Sequence, residues 1–175
     1  MGEMETTHFA ELSAALLAVD RDELQKAINL LKFVRENKRN VWIVGNGGSA
    51  ATASHLANDL SKMCGIKAFS IPDMGPTVSA FGNDEGWEKM FEFTMDVYFE
   101  PGDALVAISC SGNSLNVVRA AAHVDNLIVL TGNNFKSKLS ERRSRAFLCA
   151  YHDDITIQED IHMAICHAIA KGLAK

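Results

Sequence analysis

Apolar residues recur three and four apart near the start of the chain, at Phe9, Leu12, Leu16 and Leu17, and again at Leu24, Ile28, Leu31 and Val34. This spacing predicts two helices, or one broken helix, up to about Asn37. Asp20 and Asp22 stand between the two runs, where an N-cap is expected. The helices precede the first strand signal, so they are not crossovers. Their apolar faces need a partner, and a second subunit meets that need.

From residue 41 the pattern changes to short continuous apolar runs separated by helical stretches. Val41 to Val44 reads as a first strand, and Ser49 opens an Ala-rich helix to about Met63. Residues 67–71 read as a second strand and 72–76 as a proline-bounded loop. Residues 77–99 read as one or two helices broken near Gly82-Asn83-Asp84. Residues 104–108, 127–130 and 146–149 complete five strands. Helices are expected at 115–123, in a short piece at 136–142, and from about Gln158 to Leu173. Continuous apolar strands alternating with helices indicate a parallel sheet covered on both faces. Right-handed crossovers then limit the α/β fold to a doubly wound, three-layer αβα sandwich. No linker, low-complexity segment or repeat interrupts the pattern. It predicts a single domain over 1–175, with an N-terminal helical segment (1–38) and an α/β core (39–175).

Two loops fall at the carboxyl ends of strands, where such folds bind ligands. Gly45-Asn46-Gly47-Gly48-Ser49-Ala50 follows the first strand, and Ser109-Cys110-Ser111-Gly112-Asn113-Ser114 follows the third. Glycines allow close backbone approach, and helix N-termini present unpaired N–H groups to an anion. The second loop adds three hydroxyls and an amide, and so is the better phosphate cradle. Either loop alone reads equally well as a tight βα connection with an N-cap. The first also matches the dinucleotide pattern GxGxxG/A, with Asp73 as a late candidate for the ribose acid, but that scheme gives the second loop no role. No lysine follows the glycines, so a Walker A loop is excluded.

Composition narrows the classes. The chain has 175 residues, 47% hydrophobic and 22% charged, with a formal net charge of −5. An acidic balance argues against broad binding to nucleic-acid backbones. No apolar run approaches the ~20 residues of a membrane-spanning helix. Residues 1–7 carry two acids and no base, unlike a secretory signal. Cys64, Cys110, Cys149 and Cys166 form no CxxC motif, which fits reduced thiols and a cytoplasmic setting.

The first loop followed by His55, and the second followed by Asn116-Val117, resemble sugar-isomerase (SIS) domains, and most closely the phosphoheptose isomerase branch. The resemblance runs from the N-terminal helices to the last helix with His167. It implies a five-stranded parallel sheet, a homotetramer using the N-terminal helices, and active sites at subunit interfaces. The implied activity is ketose–aldose isomerisation of sedoheptulose 7-phosphate or a similar sugar phosphate, with no nucleotide cofactor, nucleic acid or membrane partner. By motif, Gly47, Gly48, Ser49, Ser109, Cys110, Ser111, Asn113 and Ser114 would surround the phosphate, and Asn46 and Asp84 would contact the sugar. The resemblance makes Asp59 and His167 the acid–base pair, and His55, Asp59, Glu159 and His167 a zinc site. A non-catalytic SIS-domain regulator is the competing reading.

Enediol chemistry needs a base near carbon and an acid or metal near oxygen. His55 and Asp59, four apart on a helix, share one face. Glu159 and His167 lie eight apart, about 12 Å along a straight helix, so they are awkward co-ligands within one chain. Here Asp59 replaces a Glu usual in the family, and Glu159 a Gln; the neighbouring Gln158 is the one-residue-shifted alternative. His162, five from His167, reads as structural, and His123 as a helix C-terminal cap. His8 and His152 show no partner in the sequence, and Trp87 and Phe91 read as core or interface.

Overall fold

The computed structural model describes residues 3–122 and 124–174; the capping role expected of His123 lies outside them. Five strands form one parallel sheet in the order β2-β1-β3-β4-β5. They are β1 (Val41–Val44), β2 (Ala68–Ser70), β3 (Ala104–Ser109), β4 (Leu127–Gly132) and β5 (Ala146–Ala150). The order reverses between β1 and β3, which opens a crevice at their carboxyl ends. Both candidate loops leave the sheet there.

Each face of the sheet has its own core. One face packs against α1 (Glu3–Leu17), α2 (Arg21–Glu36), α3 (Gly48–Cys64) and α7 (Ile155–Leu173). The other packs against α4 (Gly75–Glu85), α5 (Met90–Tyr98) and α6 (Leu115–Ala120). The three central strands β1, β3 and β4 are buried throughout, as continuous apolar runs require. Among the described residues no helix is long and apolar enough to cross a membrane.

Local chemistry sets three of the helix ends that frame the site. Asp20 caps α2 by accepting from the N–H groups of Asp22 and Glu23 at 2.9 and 3.0 Å. Asp154 caps α7 by accepting from Thr156 N–H at 2.7 Å, so that helix begins at Ile155 rather than near Gln158. Gly65, in the left-handed region at φ 66°, ends α3.

Three expectations change. Residues 72–76 are not simply a loop: Ile71–Asp73 is a 3-10 turn, and Pro76 sits in the first turn of α4, where a missing N–H leaves no bond unmade. The break between α4 and α5 falls at Gly86, with φ 98°, and not at Gly82-Asn83-Asp84, which remains helical. The short helix expected at 136–142 is a run of turns. There Asn134, Ser137 and Ser140 side chains hydrogen-bond the local backbone and displace helical pairing.

Candidate active site

The crevice at the strand reversal is bridged by two amides. Asn46 Nδ2 donates to Asn116 Oδ1 at 2.9 Å, and Asn116 Nδ2 donates to Asn46 Oδ1 at 2.8 Å. This reciprocal pair fixes the loop after β1 against α6. Beside it lies a cavity of about 150 Å³ lined by Asn46, Ser49, Ser109, Cys110, Ser111, Ser114, Ile155 and Glu159. The hydroxyls converge: Ser109 Oγ lies 3.4 Å from Ser111 Oγ and donates to Ser114 Oγ at 3.2 Å. Ser114 precedes α6 without capping it, so its hydroxyl stays in the cavity. No side chain caps α3 either. Neutral hydroxyls beside the start of a 17-residue helix make a chemically suitable anion cradle.

Close approach requires a glycine in each loop. A Cβ on Gly45 would collide with the Ser49 backbone, and one on Gly112 with Ser137 Oγ and Cβ, whereas one on Gly48 meets only the flexible end of Glu159. Gly112 also has φ 64°, which disfavours any other residue.

A second cluster lies further along α3 and α7. Three contacts give their alignment: Gly48 against Glu159, His55 against His167, and Cys64 Sγ donating to Ala170 O at 3.3 Å. The helices therefore run side by side in the same direction. His55 Nε2 lies 2.9 Å from His167 Nε2 and 3.3 Å from Asp59 Oδ2, and His167 Nε2 lies 4.0 Å from that oxygen. The Asp59 side chain is 13% exposed, while the imidazoles are half open.

The structure thus brings together His55, Asp59 and His167, and separates Glu159 from them. Glu159 lies in the wall of the hydroxyl cavity, as the distance along α7 requires. Gln158 is buried, and its amide donates to His152 O at 2.6 Å. Asn113 uses its side-chain oxygen to accept from Lys138 N–H at 3.0 Å. Asp84 is exposed on α4 and does not line the cavity; its carboxylate accepts from Asn83 Nδ2. Gly47, at φ 55°, is the N-cap residue of α3. Asp73 accepts from Ser54 Oγ at 2.6 Å. His8 lies 3.5 Å from Asp160, and His152 Nδ1 accepts from Asp154 N–H at 3.0 Å. Phe91 is core, and Trp87 is exposed.

Sequence reasoning gave no role to Ile155 or to the Asn46–Asn116 pairing, although Asn116 directly follows the second loop. It also missed that His162, 1% exposed, reaches the second loop: its Nδ1 lies 3.8 Å from Cys110 Sγ. Burial drives the His162 pKa down to about 4. Burial, then the charge of Glu159, pushes the Cys110 thiol up to about 11.

Residues 6–130 match the SIS domain family. A phosphoheptose isomerase of Buchnera aphidicola is 36% identical over 159 residues, covering 85% of this chain and 80% of its own. One of Bordetella avium is 31% identical, covering 96% and 92%. The solved structure of phosphoheptose isomerase GmhA from Neisseria gonorrhoeae superposes with a TM-score of 0.89 at 29% identity, covering 98% of this chain and 97% of that one. A paired-loop crevice, a His–Asp–His cluster and sequence similarity over most of the length lead to one assignment: the chain belongs to the SIS domain family and, within it, to the phosphoheptose isomerases.

Proposed function

We propose that this chain interconverts sedoheptulose 7-phosphate and the corresponding aldoheptose 7-phosphate through an enediol. The carrying observation is that α3 and α7 each contribute to both clusters. Ser49 and Glu159 lie in the hydroxyl cavity, and His55, Asp59 and His167 lie further along the same helices. Ser49 and Asp59 are ten residues apart on α3, about 15 Å along its axis, which exceeds the reach of an open-chain heptose phosphate, so one working site draws its anion-binding and proton-transfer ends from different subunits.

Ser49, Ser109, Ser111 and Ser114 hold the phosphate by neutral hydrogen bonds. Asp59 takes the proton from C1 of the ketose, the C–H electron pair forms the C1–C2 double bond, and the C2 carbonyl becomes an enediol oxygen. Return of the proton to C2 and loss of the O1 proton give the aldose. His167 moves the proton between O1 and O2. Asp59 is one methylene shorter than the Glu usual in the family, and its Oδ2 lies 3.3 Å from His55 Nε2 and 4.0 Å from His167 Nε2.

The same three groups fit zinc. Their separations of 2.9, 3.3 and 4.0 Å bracket the roughly 3.3 Å spacing of ligand atoms in a tetrahedral site with bonds of about 2.0–2.1 Å. Three protein ligands leave an open position, and zinc held there would supply Lewis-acid stabilisation of the enediol oxygens. A carboxylate has two oxygens, so Asp59 can contact a metal through one and carry the proton on the other.

Exposed Phe9, Leu16 and Leu17 on α1 and Phe33 on α2 support assembly through these helices; a homotetramer in the cytoplasm is what the family resemblance adds. The non-catalytic regulator reading is disfavoured because a base flanked by two imidazoles is retained. Incubation with sedoheptulose 7-phosphate, with and without added zinc, should yield the aldose. Asp59→Asn should lower kcat by about 10²–10⁴-fold. Absence of product from folded, zinc-supplied protein would reject the substrate assignment.

A further inference from the structure

Beneath the second loop the chain holds a histidine that no step of the isomerisation uses. His162 Nε2 lies 3.0 Å from Thr131 O. A carbonyl only accepts, so Nε2 carries the ring proton. The neutral ring then presents its Nδ1 lone pair to Cys110 Sγ, 3.8 Å away. The Cys110 thiol, its pKa pushed up to about 11 by burial, is protonated at neutral pH and donates to that lone pair, while the Ser49 side chain hydrogen-bonds the same sulfur. One imidazole therefore joins three elements: the loop after β3, the end of β4, and α7.

Residue 110 is fixed twice. Its carbonyl accepts from Gly132 N–H at 2.9 Å, and its thiol is directed at His162. The flanking residues Ser109 and Ser111 supply two of the hydroxyls that line the cavity. A carbonyl anchor alone leaves the peptide free to rock about that bond. A second anchor through the side chain removes this freedom, and the hydroxyls keep the spacing an anion needs.

We propose that His162 is a positioning residue for the anion-binding loop, holding Cys110 through a thiol-to-imidazole hydrogen bond so that Ser109 and Ser111 converge on the ligand's phosphate. This rests on the reading of that loop as the phosphate cradle. The role belongs to binding and not to proton transfer, because His162 faces the buried side of the loop.

The test uses inorganic phosphate as the probe, titrated calorimetrically into the full chain. Cys110→Ala removes the thiol donor and leaves the buried imidazole in place. It should weaken phosphate binding by about fivefold and raise KM similarly, with kcat within about twofold. Cys110→Ser keeps a donor and should recover most of the affinity. Nitrogen-15 NMR should show His162 as the Nε2–H tautomer, with an Nδ1 resonance that moves on Cys110→Ala. Unchanged affinity in Cys110→Ala, an unmoved Nδ1 resonance, or an equal loss in kcat overturns the positioning role alone. If the wild-type chain binds no inorganic phosphate, the phosphate reading fails, and the positioning role fails with it.

Discussion

Burial holds the His162 pKa near 4, well below the ordinary 6.5, and so ties the stability of the fold to pH. In the unfolded chain the imidazole takes up a proton as pH falls through 6.5, while in the folded chain it stays neutral until about pH 4. The unfolded state therefore binds more protons in this window, and stability falls as pH falls. The loss from this one group should reach about 2 kcal/mol at pH 5. Urea unfolding of wild type and His162→Gln between pH 7 and 5 isolates it: the wild type should lose more stability than the variant by that amount. Parallel losses would mean that His162 does not carry the effect. This residue also shows where sequence reasoning stops. That His55 and Asp59 share a face was legible because they are four apart on one helix, while their place in a site came from the family resemblance. The Cys110–His162 contact joins residues 52 apart, on a loop and a helix whose meeting depends on the whole sheet.

One helix distributes three functions along its length. On α7, Ile157, Ile161, Ile165 and Ile169 recur every four residues and face the core. Between them Glu159 reaches the hydroxyl cavity, His162 the underside of the loop, and His167 the cluster with His55 and Asp59. The helix itself was legible, and so was the distance that keeps Glu159 from joining His167. The destination of Glu159 was not legible, because it depends on how α7 aligns with α3. In the cavity wall its carboxylate faces hydroxyls and an amide, and no Lys or Arg side chain is among the lining residues. A phosphate bound there meets a like charge. Glu159→Gln should therefore tighten inorganic phosphate binding by about three- to tenfold at low salt, with the gain shrinking as salt is added. A titration in which affinity falls instead would show that the carboxylate accepts a hydrogen bond from the ligand. The weaker secondary-structure readings, at 72–76, 82–84 and 136–142, failed for local reasons. Pro76 is tolerated in a first helical turn, the helix continues through Gly82, and Ser and Asn side chains compete with the backbone between β4 and β5.

At the scale of the molecule, the parallel sheet was legible from apolar runs alternating with helices, because burial on both faces leaves no polar alternation along a strand, while the strand order that puts the reversal between β1 and β3 was not. Assembly was only implied: the apolar stripe of Leu24, Ile28, Leu31 and Val34 on α2, for which a second subunit was expected, packs into this chain's own core, and among the described residues only Phe9, Leu16, Leu17 and Phe33 are large apolar side chains left exposed on these helices. The geometry makes assembly testable through activity. Ser49 and Asp59 are ten residues apart on α3, about 15 Å along its axis, and both clusters open to solvent. If each working site joins the hydroxyl loop of one subunit to the His–Asp–His cluster of another, two different inactive variants can complement each other. Asp59→Asn lacks the base, and a Ser109→Ala/Ser111→Ala double variant lacks the loop hydroxyls. Each should be nearly inactive alone. Co-expressed and purified as mixed oligomers, they should recover up to about a quarter of wild-type activity, the share of sites that draw both intact halves. Sites built within one chain would recover nothing, because no subunit of the mixture carries both halves. A return of activity on mixing therefore requires a shared site, and it would account for the exposed Phe9, Leu17 and Phe33 as surfaces that bring a second subunit's residues to the sugar.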